Sequence, residues 1–340
     1  MKQLYVTGTS RPFLYGNAKR FAEMVGTALA EANFGLITSN AAGVEAWTAE
    51  AFCSNLKRIE RDESKCFTQI TRRLPNFRAW MPGSTFRSSP QTRMPVRSDR
   101  EGFEAALAKS DAAILVGGHR GTLAMARRFM DRAKPVFPIP FSGGRSNEIF
   151  QEILRTWSDT PVEGLTRTQF LSLALPWNSG TGTLQNLLRG TLAETADIFI
   201  SYRRNDVASG AGRLHRDLVE HFGTKRVFMD VLGIPPGQSW KATIDKAIQD
   251  CKVGVVVIGK RWTETHEDDI VHAEVGMLLE QNKGIAPVLI DGAQLPPASA
   301  IPSALVGLFR FQAPSLDNSN WEPSMAALIR QLDRAIGNAK

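Results

Sequence analysis

The chain has 340 residues, of which 43% are hydrophobic and 22% charged, a balance typical of soluble globular proteins and not of disordered ones. No apolar run reaches the roughly 18 residues that a membrane-spanning helix needs, and the start, MKQLYVTGTSRP, has the pattern of a strand and a polar loop, not of a signal peptide. The net charge of +7 is uneven, with about +8 on residues 1–194 and about −1 on the rest, which favours an anionic ligand for the first half.

Strand-like apolar runs alternate with amphipathic segments through the first half. QLYVTG precedes the helical NAKRFAEMVGTALAEAN, FGLITS precedes VEAWTAEAFCSNLKRI, and AAILVGG precedes GTLAMARRFMDRA and PVFPIP. This alternation predicts a parallel sheet covered by helices. Residues 61–100 are rich in Pro, Ser and Arg and have weak periodicity, so we expect a long functional loop or insertion with one short strand there.

The pattern ends near LSLALPWNSGTGT, and a helical connector, LQNLLRGTLAE, follows. Alternation then restarts with DIFISY, GRLHRDLVEHF, RVFMD, SWKATIDKAIQDC, VGVVVIG, DDIVHAEVGMLLEQ, IAPVLI and SMAALIRQLDRAI. We therefore predict an α/β fold with two open parallel-sheet domains. The first, residues 1–190, is expected to be Rossmann-like, and the second, residues 195–340, flavodoxin-like.

Three segments of the second half should meet at the carboxyl ends of its strands, where open parallel sheets bind ligands. They are FISYRRND (199–206), FMDVLGIPPGQSW (228–240) and VIGKRWTETHEDD (257–269), and the last leads into the helix of residues 268–281. Glu274 lies on that helix in the same arc as Val271, Val275 and Leu278. A carboxylate in an apolar stripe is expensive to desolvate unless it has a partner or a function.

These segments, in this order, resemble a Toll/interleukin-1 receptor (TIR) domain over residues 195–340, in the branch that cleaves NAD. The resemblance implies that Glu274 is the catalytic acid and that a loop at 231–239 completes a neighbouring protomer's site. The substrate-binding candidates are Ser201, Tyr202, Arg203, Asp230 and Trp262, and the oligomerisation loop comprises Leu232, Gly233, Pro235, Pro236 and Gly237.

The residues also permit plainer interpretations. Glu274 could be a buried acid paired with an arginine or a surface residue, Trp262 a core aromatic, and Asp230 a loop-shaping residue. His272, two residues before Glu274, is expected to point away from it to the surface. Many bacterial TIR effectors carry a second glutamate two residues after the catalytic one, where this chain has Gly276.

Glycine-rich loops follow three predicted strands of the first half: VTGTSRP (6–12), ITSNAAGVEA (37–46) and VGGHRGTLA (116–124). Backbone N–H groups in such loops, with helix N-termini behind them, make an anion cradle, although the glycines could instead serve only tight turns. The predicted signal-ligand residues are Gly8, Thr9, Ser10, Arg11, Ser39, Gly117, Gly118, His119, Arg120, Gly121 and Thr122.

This half is similar to the SLOG family over roughly residues 1–180. VGGHRGT resembles the PGGxGTxxE motif of the LOG enzymes, but it has Val for Pro, one extra residue, and Met125 where the enzymes carry glutamate. The resemblance therefore implies a nucleotide-sensing pocket more than a hydrolase.

Together these features predict a cytoplasmic antiphage effector. Its SLOG-like half would bind a nucleotide second messenger, either a cyclic nucleotide or an ADP-ribose derivative, and would drive self-association into an oligomer or filament. The TIR half would then act as an NADase, releasing nicotinamide and ADP-ribose or a cyclic form. The alternatives are a non-catalytic TIR adaptor and a TIR enzyme that makes a cyclic ADP-ribose signal.

We expect NAD+ to be the substrate, with no bound cofactor and no metal, because the three cysteines lack metal-ligand spacing and suit free thiols. No membrane or nucleic-acid partner is expected, since there is no lysine-rich tail and no basic strand interleaved with aromatic residues.

Overall fold

The computed structural model describes residues 1–10, 17–39, 41–72, 89–158, 162–175, 181–229, 240–264 and 269–338. The chain divides into two compact units, Met1–Leu192 and Ala193–Lys340. Each unit contains one sheet in which every paired strand is parallel. The prediction of an α/β fold with two open parallel sheets is confirmed.

Among its described residues, unit 1 has a six-stranded sheet with the order β4-β3-β2-β1-β5-β6. Its strands are β1 Gln3–Gly8, β2 Gly35–Ser39, β3 Phe67–Arg72, β4 Arg93–Val96, β5 Ala112–Val116 and β6 Val136–Ile139. Its helices are α1 Ala18–Glu31, α2 Val44–Arg58, α3 Glu63–Cys66, α4 Asp99–Lys109, α5 Arg120–Met130, α6 Ser146–Arg155, α7 Arg167–Leu171 and α8 Gly182–Leu192.

The position of β1 in this sheet decides where a ligand could bind. Strand β1 lies between β2 and β5. Strands β2, β3 and β4 follow one another on one side of β1, and β5 and β6 are added on its other side. Parallel sheets open a crevice at such a switch point, outside the carboxyl ends of the two strands. Strand β5, AAILV, is buried along its whole length, as a central strand covered on both faces should be.

The expectation of a mainly irregular segment at residues 61–100 was wrong for its described parts. Strands β3 and β4 lie within this segment and extend the sheet to its edge. Strand β3, FTQITR, pairs with β2, and the four residues of β4 pair with β3 at the edge of the described sheet. A short strand that contains a proline has little periodicity to read, and an edge position tolerates its missing N–H group.

Unit 2 has the strand order β11-β10-β9-β7-β8. Its strands are β7 Ile198–Tyr202, β8 Val227–Met229, β9 Val253–Ile258, β10 Gly284–Ile290 and β11 Ser315–Leu316. Its helices are α9 Arg204–Phe222, α10 Trp240–Asp250, α11 Ile270–Glu280 and α12 Trp321–Asn338.

Strand β7 separates two hydrophobic cores in unit 2. Ile198, Ile200 and Tyr202 pack with α9 and α12 on one face of the sheet. Phe199 packs with α10 and α11 on the other. Successive side chains of a strand point to opposite faces, so Ser201 shares the face of Phe199.

No helix in the described part of the chain is both long and apolar enough to cross a membrane.

Candidate functional site

Glu274 lies on the sheet-facing side of α11. It is 3% exposed, and Val271, Val275 and Leu278 on the same helix are also buried. The helix begins after Asp269, whose side chain caps it by accepting a hydrogen bond from the His272 amide. The helical spacing predicted from the sequence therefore places this carboxyl group inside the protein.

Ser201 is the described hydrogen-bond donor to this carboxyl group. Its hydroxyl Oγ donates to Oε2 of Glu274 at 2.6 Å, and the Ser201 side chain is fully buried. The contact arises because strand alternation turns Ser201 toward α11, near the carboxyl end of β7. This hydrogen bond offsets part of the cost of taking the carboxyl group out of water.

Tyr202 does not share this site. The residue is 6% exposed and belongs to the core formed with α9 and α12, on the face of the sheet opposite Ser201. Its predicted role as a substrate-binding residue beside Glu274 placed it on the same side of the sheet as Ser201. The strand continues through Tyr202, so the alternation sends its ring to the other core.

Arg203 pairs with a carboxylate of the protein. Its Nη2 donates to Oδ2 of Asp269 at 2.7 Å and to the carbonyl oxygen of Trp262 at 3.2 Å. The two charged side chains are only 12% and 9% exposed. Burial raises the pKa of Asp269, but the hydrogen bonds from Arg203 and the His272 amide outweigh it and hold the pKa below its usual value. A substrate phosphate would have to compete with Asp269 for this guanidinium.

Trp262 and His272 form an aromatic contact beside this ion pair. Trp262 is 1% exposed, and its ring centroid lies 4.8 Å from that of His272 at an interplanar angle of 58°. Stacking on nicotinamide or adenine would require the indole to be uncovered, because in this structure it is a core side chain.

The expectation that His272 lies on the surface was wrong. The residue is 8% exposed, and burial lowers its pKa. The two-residue offset from Glu274 does turn it to another side of the helix. The first turn of α11, however, is covered there by Trp262, so that side has no solvent.

Asp230 and the predicted oligomerisation residues Leu232, Gly233, Pro235, Pro236 and Gly237 lie outside the described residues. Gly276 is partly buried, and a Cβ atom placed there would have Leu305, at 3.9 Å, as its described neighbour.

A separate cleft of about 550 Å³ lies between residues 193–196, α9 and β8. Glu194, His215 and Lys225 line it, and burial lowers the pKa of His215. Neither Ser201 nor Glu274 belongs to its lining, so it is distinct from the carboxylate site.

In unit 1, the loop after β1 is fixed by the strands and helix around it. The Thr9 amide donates to the carbonyl oxygen of Val116, and the Val44 amide donates to the carbonyl oxygen of Thr9. A Cβ atom at Gly8 would lie 2.0 Å from the carbonyl oxygen of Val116, so only glycine fits there. Ser10 and Ser39 are partly buried near these strand ends, and Arg11 lies outside the described residues.

The loop after β5 is only partly available to a ligand. The Gly117 amide donates to Ser142 Oγ at 2.6 Å and to Ser146 Oγ at 3.0 Å, so an anion would have to compete with these two hydroxyl groups for it. Gly117 and Gly118 have φ values of +68° and +98°, a conformation that favours glycine.

Helix α5 begins directly after this loop. His119, Arg120 and Gly121 are exposed at its start, whereas Thr122 is buried and its hydroxyl donates to the Gly8 carbonyl oxygen at 3.4 Å. The first amides of a helix have no acceptors within the helix and carry partial positive charge. The candidate anion contacts are therefore the start of α5 and its two basic side chains.

The sequence interpretation missed Glu45, a buried acid in the first turn of α2. Its Oε2 accepts hydrogen bonds from the amide of Ser39, at 2.6 Å, and from the Ser39 hydroxyl. Its Oε1 accepts from the Thr7 hydroxyl at 3.2 Å. Burial raises the pKa of Glu45 to about 7, against the lowering effect of these hydrogen bonds. The sequence feature that could have predicted this burial is an acid between the apolar residues Val44 and Ala46. The same kind of feature drew attention to Glu274.

Comparison with known proteins assigns unit 2. Residues 198–332 match the TIR domain family. Unit 2 carries a TIR domain. A probable 2' cyclic ADP-D-ribose synthase, BdTIR of Brachypodium distachyon, is 28% identical over 95 residues, which are 28% of this chain and 41% of that relative. The match therefore spans less than half of the relative's length.

Two solved structures illustrate the similarities found by shape. The TIR domain of the Toll-related receptor TRR-2 from Hydra magnipapillata is 17% identical, with a TM-score of 0.30, covering 41% of this chain and 99% of that one. The Moco carrier protein from Chlamydomonas reinhardtii is 20% identical, with a TM-score of 0.29, covering 40% of this chain and 74% of that one.

Proposed function

We propose that the TIR domain cleaves the bond between nicotinamide and ribose in NAD+, with Glu274 as the catalytic carboxylate. The observation that carries the proposal is the burial of Glu274 beside the carboxyl end of β7, with Ser201 donating to it. The similarity to a probable cyclic ADP-ribose synthase supports NAD+ as the substrate class.

The chemistry needs few groups. Breaking this bond builds positive charge on the ribose, as in an oxocarbenium ion, and a carboxylate beside the sugar stabilises that charge most strongly where water is excluded. Nicotinamide leaves its cationic form as a neutral base, so no strong general acid is required. Ser201 holds Oε2 of Glu274, and the carboxyl group of Glu274 is the group that we assign to the ribose.

Two products are compatible with this cleavage. Attack by water on the ribose gives ADP-ribose, and attack by another group of the same molecule gives a cyclic form. The name of the Brachypodium relative favours testing for the cyclic form alongside hydrolysis.

For unit 1 we propose a SLOG-like sensor of a nucleotide signal. Its support is the switch point beside β1 and the exposed start of α5 with His119 and Arg120. In this proposal the bound signal promotes self-association through the loop at 231–239, and the assembled TIR domains deplete NAD+ in phage-infected cells. Such control works because a ligand that binds the assembled state better shifts the assembly equilibrium.

The test is nicotinamide release by the full-length chain incubated with NAD+, alone and with a panel of cyclic nucleotides and ADP-ribose derivatives, while particle size is followed. Glu274→Gln keeps the side-chain shape and an acceptor for Ser201, so we expect release to fall about 100- to 1000-fold with little loss of stability. Glu280→Gln, at an exposed position of the same helix, is the matched control and should retain full activity. Equal turnover by the parent and Glu274→Gln would refute the role of this carboxylate, and a chain that releases no nicotinamide under any condition would favour the adaptor function.

A further inference from the structure

The carboxyl end of β7 holds helix α11 at two points. Ser201 donates to Glu274 in the second turn of the helix, and Arg203, two residues farther along the chain, donates to Asp269 at its start. The first contact touches the proposed catalytic group. The second lies five residues before it, about 7.5 Å along the helix axis at 1.5 Å per residue.

Asp269 connects this second contact to the helix itself. Its Oδ1 accepts from the His272 amide and caps the helix, while its Oδ2 accepts from Arg203. A helix moves as a rigid body over two turns, so the position at which Arg203 holds Asp269 also sets where the carboxyl group of Glu274 lies. The same guanidinium donates to the carbonyl oxygen of Trp262 and thereby ties in the turn after β9.

The surroundings make this contact hard to replace. The pair is nearly excluded from solvent, so loss of either partner leaves a buried charge without its oppositely charged neighbour. Without Arg203, Asp269 would keep only its described contacts with His272, whose amide it caps and whose Nδ1 lies 3.5 Å from its Oδ2. Both contacts are made by Nη2, at the end of a planar guanidinium that fixes the directions of its N–H groups and reaches one bond farther than a lysine ammonium. Nε of Arg203, Nε1 of Trp262 and Nε2 of His272 are buried without hydrogen-bond partners, so the Asp269 carboxylate is the charged acceptor that the described hydrogen bonds place against Arg203.

We infer that Arg203 is a positioning residue for Glu274, acting through Asp269, and that it is not a ligand of the substrate's phosphates. This inference rests on the proposed NAD+ cleavage. It assigns to Arg203 an effect on the chemical step, because a carboxylate displaced by a fraction of an ångström no longer faces the ribose correctly.

The test compares Arg203→Lys and Asp269→Asn with the control Arg204→Lys, which alters the exposed neighbouring arginine. For both cluster variants we expect kcat for nicotinamide release to fall about 10- to 100-fold, with KM within about twofold of the parent. The double variant should be no worse than the poorer single variant, because the two residues act as one unit. Asp269→Asn retains the Oδ1 cap, so it keeps the test informative if Arg203→Lys folds poorly.

Two results would overturn the inference. A rise in KM at unchanged kcat in Arg203→Lys would show a phosphate ligand, and an unchanged kcat with only a lower Tm would show a purely structural ion pair.

A measurement without turnover separates this inference from the proposed activity. The 13C resonance of the Glu274 carboxyl group, assigned with Glu274→Gln, should shift in Arg203→Lys and Asp269→Asn and stay in place in Arg204→Lys. If the parent releases no nicotinamide, the proposed activity fails, yet this shift still reports whether Arg203 positions Glu274. An unmoved resonance in both cluster variants contradicts the inference whatever the activity.

Discussion

Substitution of Glu45 by glutamine should remove a pH dependence from the stability of unit 1. Burial raises the pKa of this acid from 4.5 to about 7, so in the folded state it keeps a proton that the unfolded chain has lost. Between these two pH values the folded state binds more protons than the unfolded state, and the free energy of unfolding therefore falls as the pH rises. Below pH 4.5 the effect is absent, and above pH 7 it is complete.

The size of the effect follows from the shift. One unit of pKa corresponds to about 1.4 kcal/mol, so ionisation of Glu45 lowers the free energy of unfolding by about 3 kcal/mol at pH 8. Glutamine resembles the neutral acid in having one acceptor and one donor group. Glu45→Gln should therefore match the parent near pH 4.5 and exceed it by about 3 kcal/mol at pH 8, a Tm increase of about 6–12 °C for a unit of this size.

The assay is urea unfolding of the full-length chain at several pH values, followed by hydrogen exchange of peptides from β1 and β2 so that the signal comes from unit 1. Glu50→Gln, at an exposed position of the same helix, should keep the pH dependence of the parent. Parallel stability curves for the parent and Glu45→Gln between pH 5 and 8 would refute the reasoning, since they would mean that the buried acid ionises as an exposed one does.

Two further substitutions test the described geometry. Ser201→Ala removes the hydrogen-bond donor to the Glu274 carboxyl group and should lower nicotinamide release about 10- to 100-fold. Ser209→Ala, at an exposed position of α9, is its control and should leave the rate unchanged. Equal rates for the two variants would contradict a role of the Ser201 contact in catalysis. Gly118→Ala places a Cβ atom 2.4 Å from a Thr122 side-chain oxygen at a φ of +98° and should destabilise unit 1 by about 1–3 kcal/mol in urea unfolding. Gly121→Ala, where a Cβ meets nothing within 4 Å, is its control and should be neutral or mildly stabilising.

The sequence predicted those features that depend on regular spacing. Alternation of strands and helices was enough to predict the two parallel sheets. The helical spacing of Val271, Val275 and Leu278 was enough to place Glu274 inside the protein. The pairing of Ser201 with Glu274 also follows strand periodicity, but only once the end of β7 is known.

The errors came from details that periodicity does not fix. Tyr202 was grouped with Ser201 among the substrate-binding candidates, but consecutive residues of a strand point to opposite faces, and β7 extends through Tyr202. His272 was expected on the surface because helical spacing predicts only the direction in which a side chain points. It does not predict whether another part of the chain covers that side of the helix, as happens here. The partner of Arg203 could not be foreseen, since a buried carboxylate and a bound phosphate attract the same guanidinium.

The alternating faces of β7 make the second unit intolerant of a shift in strand pairing. If β7 slipped by one residue against β9, the phenol of Tyr202 would turn toward α11 and the hydroxyl of Ser201 toward α12. The acid on α11 would then face a bulky ring in place of a small donor, while the opposite core would lose an aromatic side chain. The pairing register of β7 therefore determines both the packing of the two cores and the hydrogen bond from Ser201 to Glu274. Insertions or deletions within β7 should abolish the folding of unit 2 and its activity together.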